Sequence, residues 1–241
     1  MLKLNHLTGF GSGVAAVPTA TSYNYDGGDS YLEISDHADF DFADGNFVID
    51  CWVRFSTLSG TQIICTHREG GSDVMQFRWR GSVNKWSFQF FTTGGGTLID
   101  LLSGVDSLSI NTWYHLAVVR STNDWFVFRD GVEQVTVNDN PTYPNYVGDF
   151  TIGSDAFSDV FNGNMDEFRV SKGTDRGWSG GFTPSTVPYE SDANTLLLIH
   201  GGEAIASGAT GSGATFVDSG NTGHTVTENG NAIRDTTVYK F

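Results

Sequence analysis

The sequence predicts an all-β fold, a sandwich or a barrel, and three features carry that prediction. Phe47, Ile49, Cys51, Val53 and Phe55 alternate with Val48, Asp50, Trp52 and Arg54, a period of two with one face apolar throughout. Clusters of Gly, Asp, Asn and Ser interrupt such runs at short intervals, as in Asp130-Gly131 and Gly94-Gly95-Gly96. No window holds a long 3.6-residue apolar period with caps, and charged residues are only 17% of the chain, too few for long solvated helices.

The candidate strands follow in order. Strand signals begin near Tyr23 and continue at 30–34, 47–55, 62–67, 75–79, 85–91, 97–102, 113–120, 125–129, 132–137, 150–152, 165–170 and 195–199. Asp130-Gly131 joins two of these runs by the tight turn that needs positive φ at both positions. Residues 1–20 are Gly/Ala-rich and aperiodic, and are expected to be an N-terminal arm. Residues 21–200 form the expected domain. Residues 201–241 form a C-terminal extension: 201–219 reads as loop, and 225–227 and 236–241 read as short strands. Strands at the end of a chain need something to pair with, either an early strand of the same sandwich or a neighbouring subunit.

Thirteen Lys and Arg against 28 Asp and Glu give a net charge of −15. That balance offers no basic track for nucleic acid and repels anionic lipid; it suits solubility, divalent cations or basic partners. No apolar run reaches membrane-spanning length. Residues 1–10 carry one Lys, and their leucines are interrupted by Asn5, His6 and Thr8, so no signal peptide is expected and the protein would be made in the cytoplasm. Cys51 and Cys65 are the only cysteines, which excludes a disulfide scaffold. They flank the turn near Leu58-Ser59-Gly60 and read as buried thiols, with a cross-strand pair as the alternative.

Four segments in register, spread over about residues 22–200, resemble the laminin G-like module of the concanavalin A-like lectin/glucanase superfamily. They are Tyr25-Asp-Gly-Gly-Asp-Ser-Tyr-Leu32, Asn46-Phe-Val-Ile-Asp-Cys-Trp-Val-Arg54, Asn111-Thr-Trp-Tyr-His-Leu-Ala-Val-Val-Arg120 with Phe126-Val-Phe-Arg-Asp-Gly131, and Phe161-Asn-Gly-Asn-Met-Asp-Glu-Phe-Arg-Val170. The resemblance implies a two-sheet antiparallel jelly-roll sandwich, with Trp113 and Tyr114 opening a core strand and 165–170 returning to the core. It also implies the company of lectins, sugar-binding modules and viral surface proteins. The tail resembles the linker between copies of this module in tandem arrays, and Thr8-Gly-Phe-Gly-Ser-Gly13 resembles the opening of some bacteriophage virion proteins.

Relatives that cleave glucans carry Glu-x-Asp-x-Glu on one strand, which gathers three carboxylates in one cleft; this chain has no such pattern. Asp166 and Glu167 are adjacent and should face opposite sides unless a bulge intervenes. No Gly-x-Ser-x-Gly elbow or Cys-x-x-Cys pair is present, and His6, His37, His67, His115, His200 and His224 show no zinc-binding spacing. The family's structural calcium implies Asp26 and Asp166 as ligands, with Asp29 as a further one, set against an Asx-turn at Asp26. Sugar binding needs an exposed aromatic face rimmed by polar groups. Trp79, Trp86, Trp178, Tyr143 and Tyr146 are the candidates, set against core packing of each ring.

These readings converge on a non-enzymatic structural or adhesion protein with a lectin-like sandwich, a decoration or fibre component of a virion or a cell-surface assembly. Its expected partners are copies of itself, other virion or surface proteins, and surface glycans. A monomeric carbohydrate-binding module and a glycosidase or lyase are the alternatives.

Overall fold

The computed structural model describes residues 21–42, 45–70, 73–92, 94, 96–140, 143–201 and 216–241. The arm expected at 1–20 and most of the loop expected at 201–219 lie outside them. Among the described residues, one three-residue 3-10 turn (Ala38–Phe40) accompanies the strands, and no helix is long and apolar enough to cross a membrane.

The chain passes repeatedly between two antiparallel sheets, as the jelly-roll expectation requires. Strands β1 (Ser22–Asp26) and β3 (Phe47–Phe55) lie in the first sheet, and β2 (Tyr31–Ile34) lies in the second. Strands β4 (Thr61–Arg68), β5 (Val74–Arg80), β6 (Lys85–Thr92) and β7 (Gly96–Leu102) form a meander in the second sheet. Strands β8 (Trp113–Ser121), β9 (Asp124–Arg129) and β10 (Val132–Asn138) form another in the first. Then β11 (Phe150–Ile152) joins the second sheet, β12 (Asn162–Lys172) and β13 (Thr195–Ile199) the first, β14 (Thr227–Asn229) the second and β15 (Ile233–Asp235) the first. The first sheet runs β10-β9-β8-β3-β12-β1-β15 with β13 also on β12; the second runs β14-β2-β11-β4-β5-β6-β7.

The alternation on β3 works as predicted. Phe47, Ile49, Cys51, Val53 and Phe55 are fully buried and face the second sheet's Phe77, Phe88, Phe150 and Ile152 in one core. Cys51 and Cys65 sit in opposite sheets rather than on paired strands, and both are free, buried thiols. At the β9–β10 hairpin, Asp130 (φ 53°) and Gly131 (φ 75°) both take the left-handed conformation. Gly163 on β12 (φ 147°) has no room for a side chain: a Cβ there would stand 2.1 Å from the Arg54 carbonyl oxygen.

The tail pairs with its own sandwich, β14 on β2 and β15 on β1. Its second strand is earlier than the sequence pattern suggests. Asp235 Oδ1 accepts from the backbone N–H of Thr237 and Val238, which turns the chain out of the sheet. Residues 236–241 then lie over the first sheet, with Lys240 Nζ 3.7 Å from the Trp52 ring centroid.

Candidate functional site

Four of the five predicted sugar platforms are core residues. Trp79 and Trp86 are a cross-strand pair, 4.9 Å between ring centroids and with no exposed surface. Their indole N–H groups donate to the Leu58 carbonyl and to Asp106. Parity is the reason: Trp79 shares a face with Met75 and Phe77, and Arg78 and Arg80 take the other. Tyr143 packs on Phe90 and Trp125 beneath the Arg120 guanidinium, and the Tyr146 hydroxyl donates to the Phe91 carbonyl. Both tyrosine rings of this Pro-containing loop turn inward and close one end of the core.

Trp178 is part-exposed and lines a cleft of about 530 Å³ on the outer face of the first sheet. One face of its indole is stacked on Phe182 at 3.9 Å. The polar groups around the cleft are committed to one another. Arg169 makes two 2.9 Å bonds to Asp50, and His115 Nε2 is 2.7 Å from the Tyr189 hydroxyl. Arg176 is bonded to Ser171 and Asp192. Burial alone would raise the Asp50 pKa, but Arg169 and His115 outweigh it and hold the carboxyl at about 2.

The three predicted calcium ligands are not brought together. Asp26 faces Asn162 across the β1–β12 ladder, whereas Tyr23 faces Met165, so Asp166 lies four positions away, about 13 Å along the strand. Asp26 is spent on an Asx-turn, accepting from Gly28 N (2.8 Å) and Ser30 Oγ (2.6 Å), and these bonds depress its pKa. Asp166 is buried and accepts from the backbone N–H groups of Gly201 and Lys240.

The bulge allowed for on β12 is present. The ladder slips between Asp166 and Arg169, and Glu167 takes φ 54°. Met165 and Phe168 point into the core, so Asp166 and Glu167 both stand on the outer face. Glu167 is buried against His200 Nδ1 (2.8 Å) and the Tyr189 N–H (2.6 Å). This acid pair is enclosed and serves as a structural anchor for the segments that cover it.

The residue that sequence reasoning missed is Phe157. It is 70% exposed and stands at the middle of the β11–β12 loop. Asp155 Oδ1 accepts from the N–H groups of Phe157, Ser158 and Asp159 at 2.9–3.0 Å, and Ala156 is held at φ 61°. Three bonds to one carboxylate oxygen fix the loop and hold the ring outward. Arg68 lies 4.9 Å over one face of the ring. On one side is a pocket of about 260 Å³ lined by Glu33, Thr66, Arg68, Asp149 and Thr151. On the other is one of about 170 Å³, lined by Asp29, Tyr31 and Ser158. Burial and the like charge of Asp149 raise the Glu33 pKa, so that carboxylate gains from any donor a ligand brings. The legible signal was a lone Phe within Ser154-Asp-Ala-Phe-Ser-Asp159, among turn formers and with no apolar residue two positions away.

Residues 26–174 match the family model described as the concanavalin A-like lectin/glucanases superfamily. No curated protein matches the sequence. Among solved structures, the chain is similar to a protein of Bacteroides ovatus provisionally assigned to carbohydrate binding, with 16% identity and a TM-score of 0.62 over 91% of this chain and 60% of that one. It is also similar to domains LG4-5 of the mouse laminin alpha1 chain, with 14% identity and a TM-score of 0.48 over 65% of this chain and 42% of that one. A third is the CBM40 of the Ruminococcus gnavus IT-sialidase bound to alpha2,3 sialyllactose, with 12% identity and a TM-score of 0.49 over 62% and 90%. The chain thus spans 60% or less of the length of the first two. At 16% identity the likeness to the Bacteroides protein is one of fold.

Proposed function

Because the chain belongs to the concanavalin A-like lectin/glucanase superfamily, we propose that it binds carbohydrate without turning it over, and that the Phe157 shelf on the second sheet is where the sugar sits. The observation that carries this reading is a solvent-facing aromatic ring held outward between two pockets of mixed polar and apolar lining. A pyranose presents an apolar C–H face that stacks on such a ring, and a rim of hydroxyls that need both donors and acceptors. Arg68 supplies donors there; Glu33, Asp149 and Asp29 supply acceptors. The provisional assignment of the Bacteroides protein agrees with this reading. Binding without turnover rests on the enclosure of Asp166 and Glu167, whose oxygens are taken up by backbone N–H groups and His200.

The test is a glycan array on the intact chain, followed by calorimetry on the glycans it retains. Phe157→Ala should weaken binding about tenfold or more, the loss of one stacked ring. Trp178→Ala should leave affinity unchanged. Wild-type strength in Phe157→Ala would remove the assigned site, and an array with no hits would remove the function.

A further inference from the structure

Away from the shelf, three side chains from distant parts of the chain converge. His37 caps the 3-10 turn Ala38–Phe40 in extended backbone (φ −153°, ψ 149°), and Asp39 lies within that turn. Phe40 anchors the turn in the core, stacked on Phe150 at 4.5 Å. His224 arrives from the tail, 185 positions beyond Asp39; its N–H is held by Asp218 Oδ2 at 2.7 Å and its ring packs 5.1 Å from Phe40. Asp39 Oδ2 is 3.3 Å from His37 Nδ1 and 3.0 Å from His224 Nε2, and all three atoms lie within 4.8 Å of one another. Thr222 Oγ donates to the same carboxylate oxygen.

Two features separate this cluster from an ordinary surface ion pair. The first is spacing: ligands bound at about 2.0–2.1 Å around a tetrahedral ion stand roughly 3.3 Å apart, close to both measured separations. The second is the state of His37 Nδ1. It accepts the Asp39 N–H at 3.2 Å, so it is the unprotonated ring nitrogen, and its one lone pair passes to a metal ion by leaving that amide. Exposure is graded as well: the His224 side chain is 5% exposed and that of His37 46%, so the fourth direction opens to solvent.

We propose that His37, Asp39 and His224 bind one divalent transition metal ion of the zinc class, with water in the remaining position. Two imidazoles and one carboxylate suit such an ion and give calcium too few oxygens. The ion joins the early loop to the tail, whose two strands are only three residues each. It therefore clamps 216–241 onto the sandwich.

The test uses the full chain freed of metal by chelator and then titrated with zinc chloride alone. One equivalent should bind by calorimetry, and the Tm should rise by about 5 °C at a hundredfold excess over Kd. Cobalt in its place should give visible absorption bands of a four- or five-coordinate site. His37→Ser keeps a good capping residue while removing the ligand, and should abolish stoichiometric binding without lowering the metal-free Tm. His224→Ala should lose binding too. No saturable zinc binding at up to about 100 μM, or wild-type binding by His37→Ser, would overturn the site.

Discussion

At the scale of single residues, the most informative group is Asp166. Burial first, and then the charge of Glu167, raise its pKa from 3.8 to about 7, against three backbone N–H donors that pull it down. A carboxyl whose folded pKa is raised stabilises the fold when protonated. That contribution is complete below about pH 4, declines as pH rises toward 7, and is spent above it. A three-unit shift caps it at about 4 kcal/mol. Urea titrations from pH 4 to pH 8 should therefore show stability falling over the lower part of that range, and Asp166→Asn should remove that part of the slope. A parallel slope in the variant would mean that Asp166 ionises normally. Much at this scale was hidden from the sequence. Alternation placed Trp79 in a strand, but choosing it as a platform ignored that its parity matched Met75 and Phe77. His37 and His224 carry no spacing signal, because the ladders that join the tail to the early strands, not chain proximity, bring them together.

At the scale of elements, buried polar side chains tie strands of the first sheet to the segment that covers them. Asp50 on β3 is paired with Arg169 on β12, and Arg169 lies 4.0 Å over the Tyr189 ring in that segment. Asp50 is fully buried, so removing its cation strands a charge out of water. Arg169→Met should cost about 3–5 kcal/mol in urea unfolding at pH 7, and adding Asp50→Leu should recover most of it. Equal losses in the single and double variants would show that Arg169 acts by packing alone. The depressed Asp50 pKa has the opposite sign to that of Asp166. Its contribution is present above about pH 4 and is lost as pH falls toward 2. The strands themselves were largely legible, because period-two alternation reports one buried face directly, as on β3 and β8. The tail was legible only in part. Val238 and Phe241 look like strand residues, but the Asp235 turn overrides that propensity and sends them across the sheet.

At the scale of the whole molecule, the question is whether the sandwich needs a neighbour. The early edges of both sheets are extended by the chain's own β14 and β15, three-residue strands that now form those edges and are too short to template much further pairing. The opposite edges are β10 and β7. The pairing of β10 with β9 is broken by a bulge between Glu133 and Val135, and the pairing of β7 with β6 by another at Phe90 and Phe91. Interrupted edges are poor templates for strand addition. A net charge of −15 adds repulsion between copies, felt over about 10 Å at 0.1 M salt. We therefore expect native mass spectrometry to find the 26.1 kDa monomer, unchanged between low and moderate salt. Binding through the Phe157 shelf would then be single-site and without avidity, so the affinity measured in solution and on a sparse array should agree. A stable oligomer would overturn this. It would direct attention to an assembly role, in which weak individual shelves gain strength by being presented several at a time.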